Sequence, residues 1–545
     1  MIKLDSVTFS YEHGDETFTV HTRRSIRSDL VSLNISTEGD VFTASLESSD
    51  EITITELTAV FRFGYCETDR IFLNGYQSWT DSIEHSIYDK MRGIEHIPYG
   101  IADKYSFSQY GDYNFTGYSG APGELHGWSY GYVRNGETYN LIGSLSEDCG
   151  FTLIRTKTYS DELICSKDCR GLAINGKYDG LKLYIADGYE KDVFDGWFRE
   201  LGIKLRPEAK PIYGYTSWYR HYQNINSTIL DADLRAIREQ KHKADVFQID
   251  DGWENVVGDW YYDHQKFPDG MKAEAERIKE AGLIPGIWLA PFICEQDSIT
   301  FMTHKSWLAI DENADYIKGG SNWSGFYVLD FYNPEVRDYI REIIDTVVNK
   351  WGFRLLKLDF LYAVSLIPRR DKTRGQIMAE AMDFLRECAG DALILACGVP
   401  LASAFGRADY CRIGCDVSLD WDDKPYMRLA HRERISTRTT IMDTVFRRQL
   451  NGRAFLSDPD VFILRSNGTS MSTAQKMALG EVNASAGSVL FTSDDVSFYG
   501  DDEMRILNGF MRMRSAEILS ATLDDSDLVV TYLLGDKIIT RTYIM

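Results

Sequence analysis

Two aspartates close hydrophobic runs 57 residues apart: Leu355-Leu356-Lys357-Leu358-Asp359-Phe360 and Cys411-Arg412-Ile413-Gly414-Cys415-Asp416. Each run reads as a buried strand ending on a carboxylate, and a buried carboxylate is costly unless it is paired or used. Two carboxyl groups at the same end of one parallel sheet could serve as nucleophile and acid/base in retaining glycoside cleavage, which needs them about 5–5.5 Å apart. Lys357 lies two residues before Asp359, so on a strand both face the same way. That predicts a cation that keeps Asp359 ionised and suited to attack. Arg412, four residues before Asp416, could hold a sugar hydroxyl or orient a carboxylate.

These side chains need a scaffold that brings strand ends together. From about Pro211 short apolar runs alternate with helical segments, and eight strands are expected: Ile212–Trp218, Val246–Asp250, Ile284–Pro291, Leu355–Phe360, Leu393–Ala396, Cys411–Gly414, Ala454–Ser457 and Val489–Thr492. The intervening helices have readable ends. One begins Asn333-Pro334-Glu335, an N-cap, a proline at the first helical position and an acid in the first turn. Its Val336, Ile340, Ile343 and Val347 share one face, and Gly352 follows its end. Eight such units predict a (β/α)8 barrel. A doubly wound open sheet is the alternative, but the glycine-rich phosphate fingerprint it often carries is missing.

Residues 1–205 show short alternating segments punctuated by Gly, Asn and Asp, which predicts an N-terminal β-sandwich. The barrel is expected over 206–503. Strand-like alternation returns in 504–545 and predicts a small C-terminal β region.

In such a barrel the site lies at the C-terminal ends of the strands. Strand one ends on Thr216-Ser217-Trp218-Tyr219, strand two delivers Asp250 and Asp251, strand three Trp288, strand five Cys397, strand seven Asp458 and Asp460. Each also has a plain structural reading. Asp250 and Asp251 could cap the next loop, Trp288 could be ordinary packing, and one of Asp420, Asp422 or Asp423 could be the acid instead of Asp416. Asp458 and Asp460 flank Pro459 and read as structural.

Composition narrows the partners. With 82 acidic against 59 basic residues the net charge is −23. That argues against nucleic acid, an anionic membrane or an acidic polymer, all of which need a basic surface. Aromatic content of 13% suits a protein that stacks sugars, or simply a large β-rich core. No apolar signal region opens the chain and no run is long enough to span a bilayer. The nine cysteines are odd in number and scattered, and none completes a zinc site. A cytoplasmic protein with reduced thiols is expected.

Six motifs occur in an order seen in one family: Phe247-Gln248-Ile249-Asp250-Asp251, Ile284-Pro285-Gly286-Ile287-Trp288-Leu289-Ala290-Pro291-Phe292, Lys357-Leu358-Asp359-Phe360, Cys397-Gly398-Val399-Pro400-Leu401, Arg412-Ile413-Gly414-Cys415-Asp416 and Asp458-Pro459-Asp460-Val461-Phe462-Ile463-Leu464-Arg465. The chain resembles the α-galactosidases of glycoside hydrolase family 36, clan D, and among them the compact bacterial members. Asn74-Gly75-Tyr76-Gln77-Ser78-Trp79 resembles the family loop that brings a tryptophan over the site. The resemblance implies Asp359 as nucleophile and Asp416 as acid/base. It implies Asp250 and Asp251 on the 4- and 6-hydroxyls of a terminal galactose, and Lys357 and Arg412 on ring hydroxyls. Trp79, Tyr219 and Trp288 would form an aromatic wall with Cys397 near the sugar. An N-terminal β-supersandwich, a barrel and a C-terminal sheet follow from it, with no cofactor and no metal. A homo-oligomer is in keeping with it, though compact members can be monomers. The chain departs from many members after Cys397, where Val399-Pro400-Leu401-Ala402 replaces a longer glycine-rich segment.

The expected function is therefore a retaining exo-acting α-galactosidase on a small α-galactosyl oligosaccharide or glycoconjugate. An α-N-acetylgalactosaminidase or a transglycosylase acting on raffinose-type sugars is the alternative within the class. A non-catalytic sugar-binding module would be marked by loss of one carboxylate, and both are present. A metal-dependent isomerase or aldolase would also gather carboxylates at a barrel rim, but only His221 lies near these aspartates.

Overall fold

The computed structural model describes residues 2–524 and 526–545. Its centre is a closed parallel barrel. Among the described residues its strands are Ile212–Thr216, Val246–Ile249, Ile284–Leu289, Leu355–Leu358, Leu393–Ala396, Tyr410–Arg412, a broken seventh of Leu456–Asp458 and Val461–Phe462, and Val489–Thr492. Nearly every residue in them is buried, because helices cover the outside and side chains fill the inside. This is why the strands read as continuous apolar runs rather than as alternation. The observed strands start where the sequence places them to within two residues, and four stop two residues early. The residues left beyond those ends are the ones free to turn into a pocket.

The seventh strand closes the barrel in two pieces. Its first half pairs with strand six, Arg412 opposite Asp458, and its second half pairs with strand eight, Val461 opposite Phe491. Between them Pro459 lacks an N–H for either ladder, and Asp460 takes a left-handed φ of 73°.

The Pro334–Asp345 helix forms as its ends dictate. The Asn333 side chain accepts from Glu335 N, and Val336, Ile340, Ile343 and Ile344 are buried. Its continuation over Thr346–Trp351 widens into a π turn that ends at Gly352.

Ahead of the barrel, thirteen antiparallel strands among the described residues form one β-sandwich-like network. Two long strands, Val41–Arg62 and Leu172–Tyr189, pair with each other and run through it. One apolar core holds Phe9, Leu33, Ile54 and Leu183. An aromatic layer of Phe72, Tyr130, Tyr132 and Trp197 belongs instead to the barrel's core. Gly143 makes that layer fit, since a Cβ there would stand 2.5 Å from the Trp197 ring. The C-terminal strands Glu517–Asp524, Asp527–Leu534 and Lys537–Ile544 form a meander. It docks through Tyr543, whose hydroxyl donates to Glu481 at 2.9 Å on the helix Thr473–Ala486.

Candidate active site

A cavity of about 760 Å³ opens at the C-terminal ends of the barrel strands. At its floor Asp359 is buried, directly after strand four. Trp288 Nε1 donates to its Oδ2 at 3.0 Å, and Phe360 N donates to its Oδ1 at 2.8 Å. Phe360 itself takes a left-handed φ of 54°, an uncommon conformation for an aromatic residue and one found where a site over-determines its backbone.

The sequence expectation that Lys357 belongs to Asp359 needs correction. Lys357 Nζ donates to Asp250 Oδ2 at 2.9 Å. Its charge still acts on Asp359, but burial is the larger effect and pushes the Asp359 carboxyl above the usual carboxylate range. Lys357 pulls against that, and the charge of Asp416 adds to it. The lysine itself is pushed up by the two aspartates despite its burial.

Four donors hold Asp250, three of them on Oδ2. Besides Lys357, its Oδ2 accepts from Gln248 Nε2 at 2.7 Å and Thr216 Oγ1 at 3.1 Å, and its Oδ1 accepts from Asp251 N at 3.0 Å. Asp251 accepts from Gln223 Nε2 at 3.1 Å and Trp323 Nε1 at 3.0 Å. Behind it, burial and then the charge of Asp251 hold the Glu254 carboxyl well above its ordinary range.

Asp416 stands at the other side, on the loop after strand six, with 37% of its side chain exposed. Arg412 Nη1 donates to its Oδ1 at 2.8 Å. The same guanidinium donates from Nε to Asp458 at 3.0 Å and reaches Asp460 Oδ1 from Nη2 at 3.1 Å. Tyr219 donates its hydroxyl to Asp460 Oδ2, and Val417 N donates to that oxygen at 2.9 Å.

The roof comes from the N-terminal region. Trp79 meets Phe360 edge to face with centroids 5.2 Å apart, and its Nε1 donates to Cys397 Sγ at 3.4 Å. Gly398, at φ +59°, lets it close: a Cβ there would lie 2.9 Å from the indole ring. Buried Arg447 ties this loop to the barrel, donating to Asn74 Oδ1 at 2.9 Å, Ser78 O at 2.8 Å and Ile413 O at 2.9 Å.

The structure thus brings Asp250, Asp251, Lys357, Asp359, Asp416, Trp79 and Trp288 onto one cavity. Tyr219, Arg412 and Cys397 lie behind its wall, all nearly inaccessible. Trp218 lines the cavity in place of Tyr219, because strand one stops at Thr216 and the chain turns at once into a helix. Gln223, Trp323 and Phe360 also line it and were not singled out from sequence. Trp323 arrives on an excursion between strands three and four that carries its own small sheet, and no local pattern announces it. Among the described residues no group of three His, Cys, Asp or Glu side chains is placed to hold a metal ion.

Fold and pocket together define a (β/α)8 barrel with an acidic site at its strand ends, roofed by an N-terminal β-sandwich. Residues 196–385 match the melibiase family. α-Galactosidase 1 of Pediococcus pentosaceus is 30% identical over 187 residues, covering 32% of this chain and 24% of that protein. The α-galactosidase of Escherichia coli is 36% identical over 145 residues, covering 25% and 19%. The matched segments therefore span about a quarter or less of these curated relatives. The likeness to TtGalA, an α-galactosidase from Thermus thermophilus solved with p-nitrophenyl α-D-galactopyranoside, runs through the whole fold. The TM-score is 0.74 at 26% identity, covering 94% of this chain and 98% of that one. The same enzyme solved with stachyose gives 0.72 at 27% identity, covering 89% and 99%. Residues 196–385 are thus a melibiase-type domain, set in a fold that is similar along nearly its whole length to the Thermus α-galactosidase.

Proposed function

We propose that the protein is a retaining, exo-acting α-galactosidase, with Asp359 as nucleophile and Asp416 as acid/base. The observation that carries this reading is the pair of carboxyls on one cavity in opposite settings: one desolvated and fixed at the floor, one water-accessible on a loop. A retaining glycosidase needs both, the first to attack and the second to exchange protons with leaving group and water.

In the first step Asp416 gives its proton to the glycosidic oxygen as the bond to the anomeric carbon breaks, and an Asp359 oxygen bonds to that carbon. Positive charge building on the sugar stabilises the Asp359 carboxylate that burial otherwise disfavours. In the second step Asp416 takes a proton from water as its oxygen bonds to the anomeric carbon, and Asp359 leaves. Trp288 Nε1 and Phe360 N hold the Asp359 oxygens throughout, so little reorganisation accompanies either step. Asp250 and Asp251, fixed by their neighbours, are placed to accept from the 4- and 6-hydroxyls of a terminal galactose. The Thermus relative's complexes with an aryl α-galactoside and with stachyose support galactose at this end, with a sugar or aryl group leaving.

The test is azide rescue of Asp359→Gly on an aryl α-galactoside, followed by NMR. Recovery of a β-galactosyl azide is expected. An α-galactosyl azide would reverse the two roles, and cleavage of α-N-acetylgalactosaminides in preference to α-galactosides by the wild type would shift the substrate assignment.

A further inference from the structure

Three carboxylates converge on Arg412, and the reaction above uses only one. Arg412 is buried and all sides of its guanidinium are engaged, by Asp416, Asp458 and Asp460. Asp458 sits opposite Arg412 in the ladder between strands six and seven, so that pair belongs to barrel closure. Asp460 is placed differently. It lies past the break in strand seven, in left-handed backbone at φ 73°. Its Oδ1 meets Arg412 Nη2 at 3.1 Å, and its Oδ2 accepts from the Tyr219 hydroxyl and from Val417 N at 2.9 Å.

Val417 directly follows Asp416. One carboxylate therefore grips both the cation that holds Asp416 and the backbone next to it. The cation alone poses a chemical problem, because a guanidinium at 2.8 Å favours loss of a neighbouring acid's proton. An acid catalyst needs that proton at the start of the reaction. Spreading one guanidinium over three carboxylates weakens its hold on each.

Resting on the acid/base role proposed for Asp416, we infer that Asp460 is a positioning residue that aims Asp416 through Val417 and, by competing for Arg412, keeps it able to carry the proton for the leaving group. The groups around Asp460 are Arg412, Asp416, Asp458 and Tyr219. Those that face Asp416 include Arg412, Asp359, Asp460, Tyr219 and the thiols of Cys397 and Cys415. Burial pushes the Asp460 carboxyl up to about 6, with Arg412 pulling against it and Asp416 and Asp458 adding to it.

The test compares kcat/KM against pH for the wild type, Asp460→Asn and Tyr219→Phe on two α-galactosides. One has a dinitrophenyl leaving group that needs no proton, and the other an alkyl leaving group that does. Removing the Asp460 charge leaves Arg412 less opposed, so the alkaline limb for the alkyl substrate should move acidward by about one pH unit. The loss should be at least about tenfold greater on the alkyl than on the dinitrophenyl substrate. Tyr219→Phe removes a bond that favours the Asp460 anion, so it should move the same limb the same way by less, and it serves if Asp460→Asn fails to fold. Equal losses on both substrates with an unmoved limb would make Asp460 merely structural and overturn the inference. A wild type that cleaves neither galactoside would overturn the proposed function itself, a separate result.

Discussion

The two sides of the pocket are built differently. The floor grows from short, wholly buried strand ends: Asp250, Lys357 and Asp359 are packed among aromatic rings, and every carboxylate oxygen there has a fixed donor. The far wall is a loop, residues 413–436, with only a single 3-10 turn at Met427–Leu429 before the helix Thr437–Phe446 begins. Its Asp416 is part exposed and held by one arginine that it shares. The difference teaches how one scaffold gives two identical side chains different chemistry. Position on a strand end desolvates a carboxyl and fixes it, whereas position on a loop leaves it in reach of water, where protons come and go.

The largest effects should separate these two sides. Asp359→Asn should lower kcat by at least about 10⁴-fold on every α-galactoside, since no other group at the floor can attack. Asp416→Asn should lose about 10²–10⁴-fold on substrates with poor leaving groups and much less on activated aryl galactosides. Steady-state kinetics across a series of leaving groups checks both, and equal losses for the two variants on every substrate would erase the distinction. Next comes Lys357→Met. Lys357 lowers the affinity of Asp359 for a proton, so without it Asp359 should stay protonated to higher pH, and the acid limb of kcat/KM should move upward. The variant also strands a buried Asp250, at a cost of about 3–5 kcal/mol in denaturant unfolding. A limb that does not move would show that the two charges act independently. The smallest effect is expected at the roof. Gly398→Ala puts a Cβ against Trp79 in left-handed backbone and should cost about 1–2 kcal/mol, read as a raised KM with a nearly unchanged acid limb.

The floor is legible in the sequence; of the wall only Arg412 and Asp416 are. Apolar runs ending on Asp250-Asp251, Lys357-Leu358-Asp359 and Arg412…Asp416 announce buried parallel strands and place their last side chains at one rim. The alternation that allows this reading ends with the strand. One residue further on, the backbone turns, which is why Trp218 rather than Tyr219 faces the cavity and why Phe360 could not be placed. Lys357 was read as a partner of Asp359 because strand periodicity gives direction but not the competing claim of Asp250 from two strands away. Arg412, expected either to hold a sugar hydroxyl or to orient a carboxylate, does the second: it binds three carboxylates, two of them from a strand whose break at Pro459 reads as an ordinary turn. Arg447 carries no signal of its hold on the tryptophan loop, since Asn74 and Ser78 lie hundreds of residues earlier.

That last contact governs when the pocket can exist. Arg447 and Asn74 are 373 residues apart in the chain, and Ser78 N donates to Val399 O across a similar gap. During synthesis the tryptophan loop emerges long before the strands it will cover, and the N-terminal sandwich must wait with its aromatic layer uncovered. Contacts of such long sequence separation form late, and exposed apolar surface in the interval invites aggregation. Catalytic competence should therefore appear only near the end of folding, making activity a stringent reporter of a finished chain.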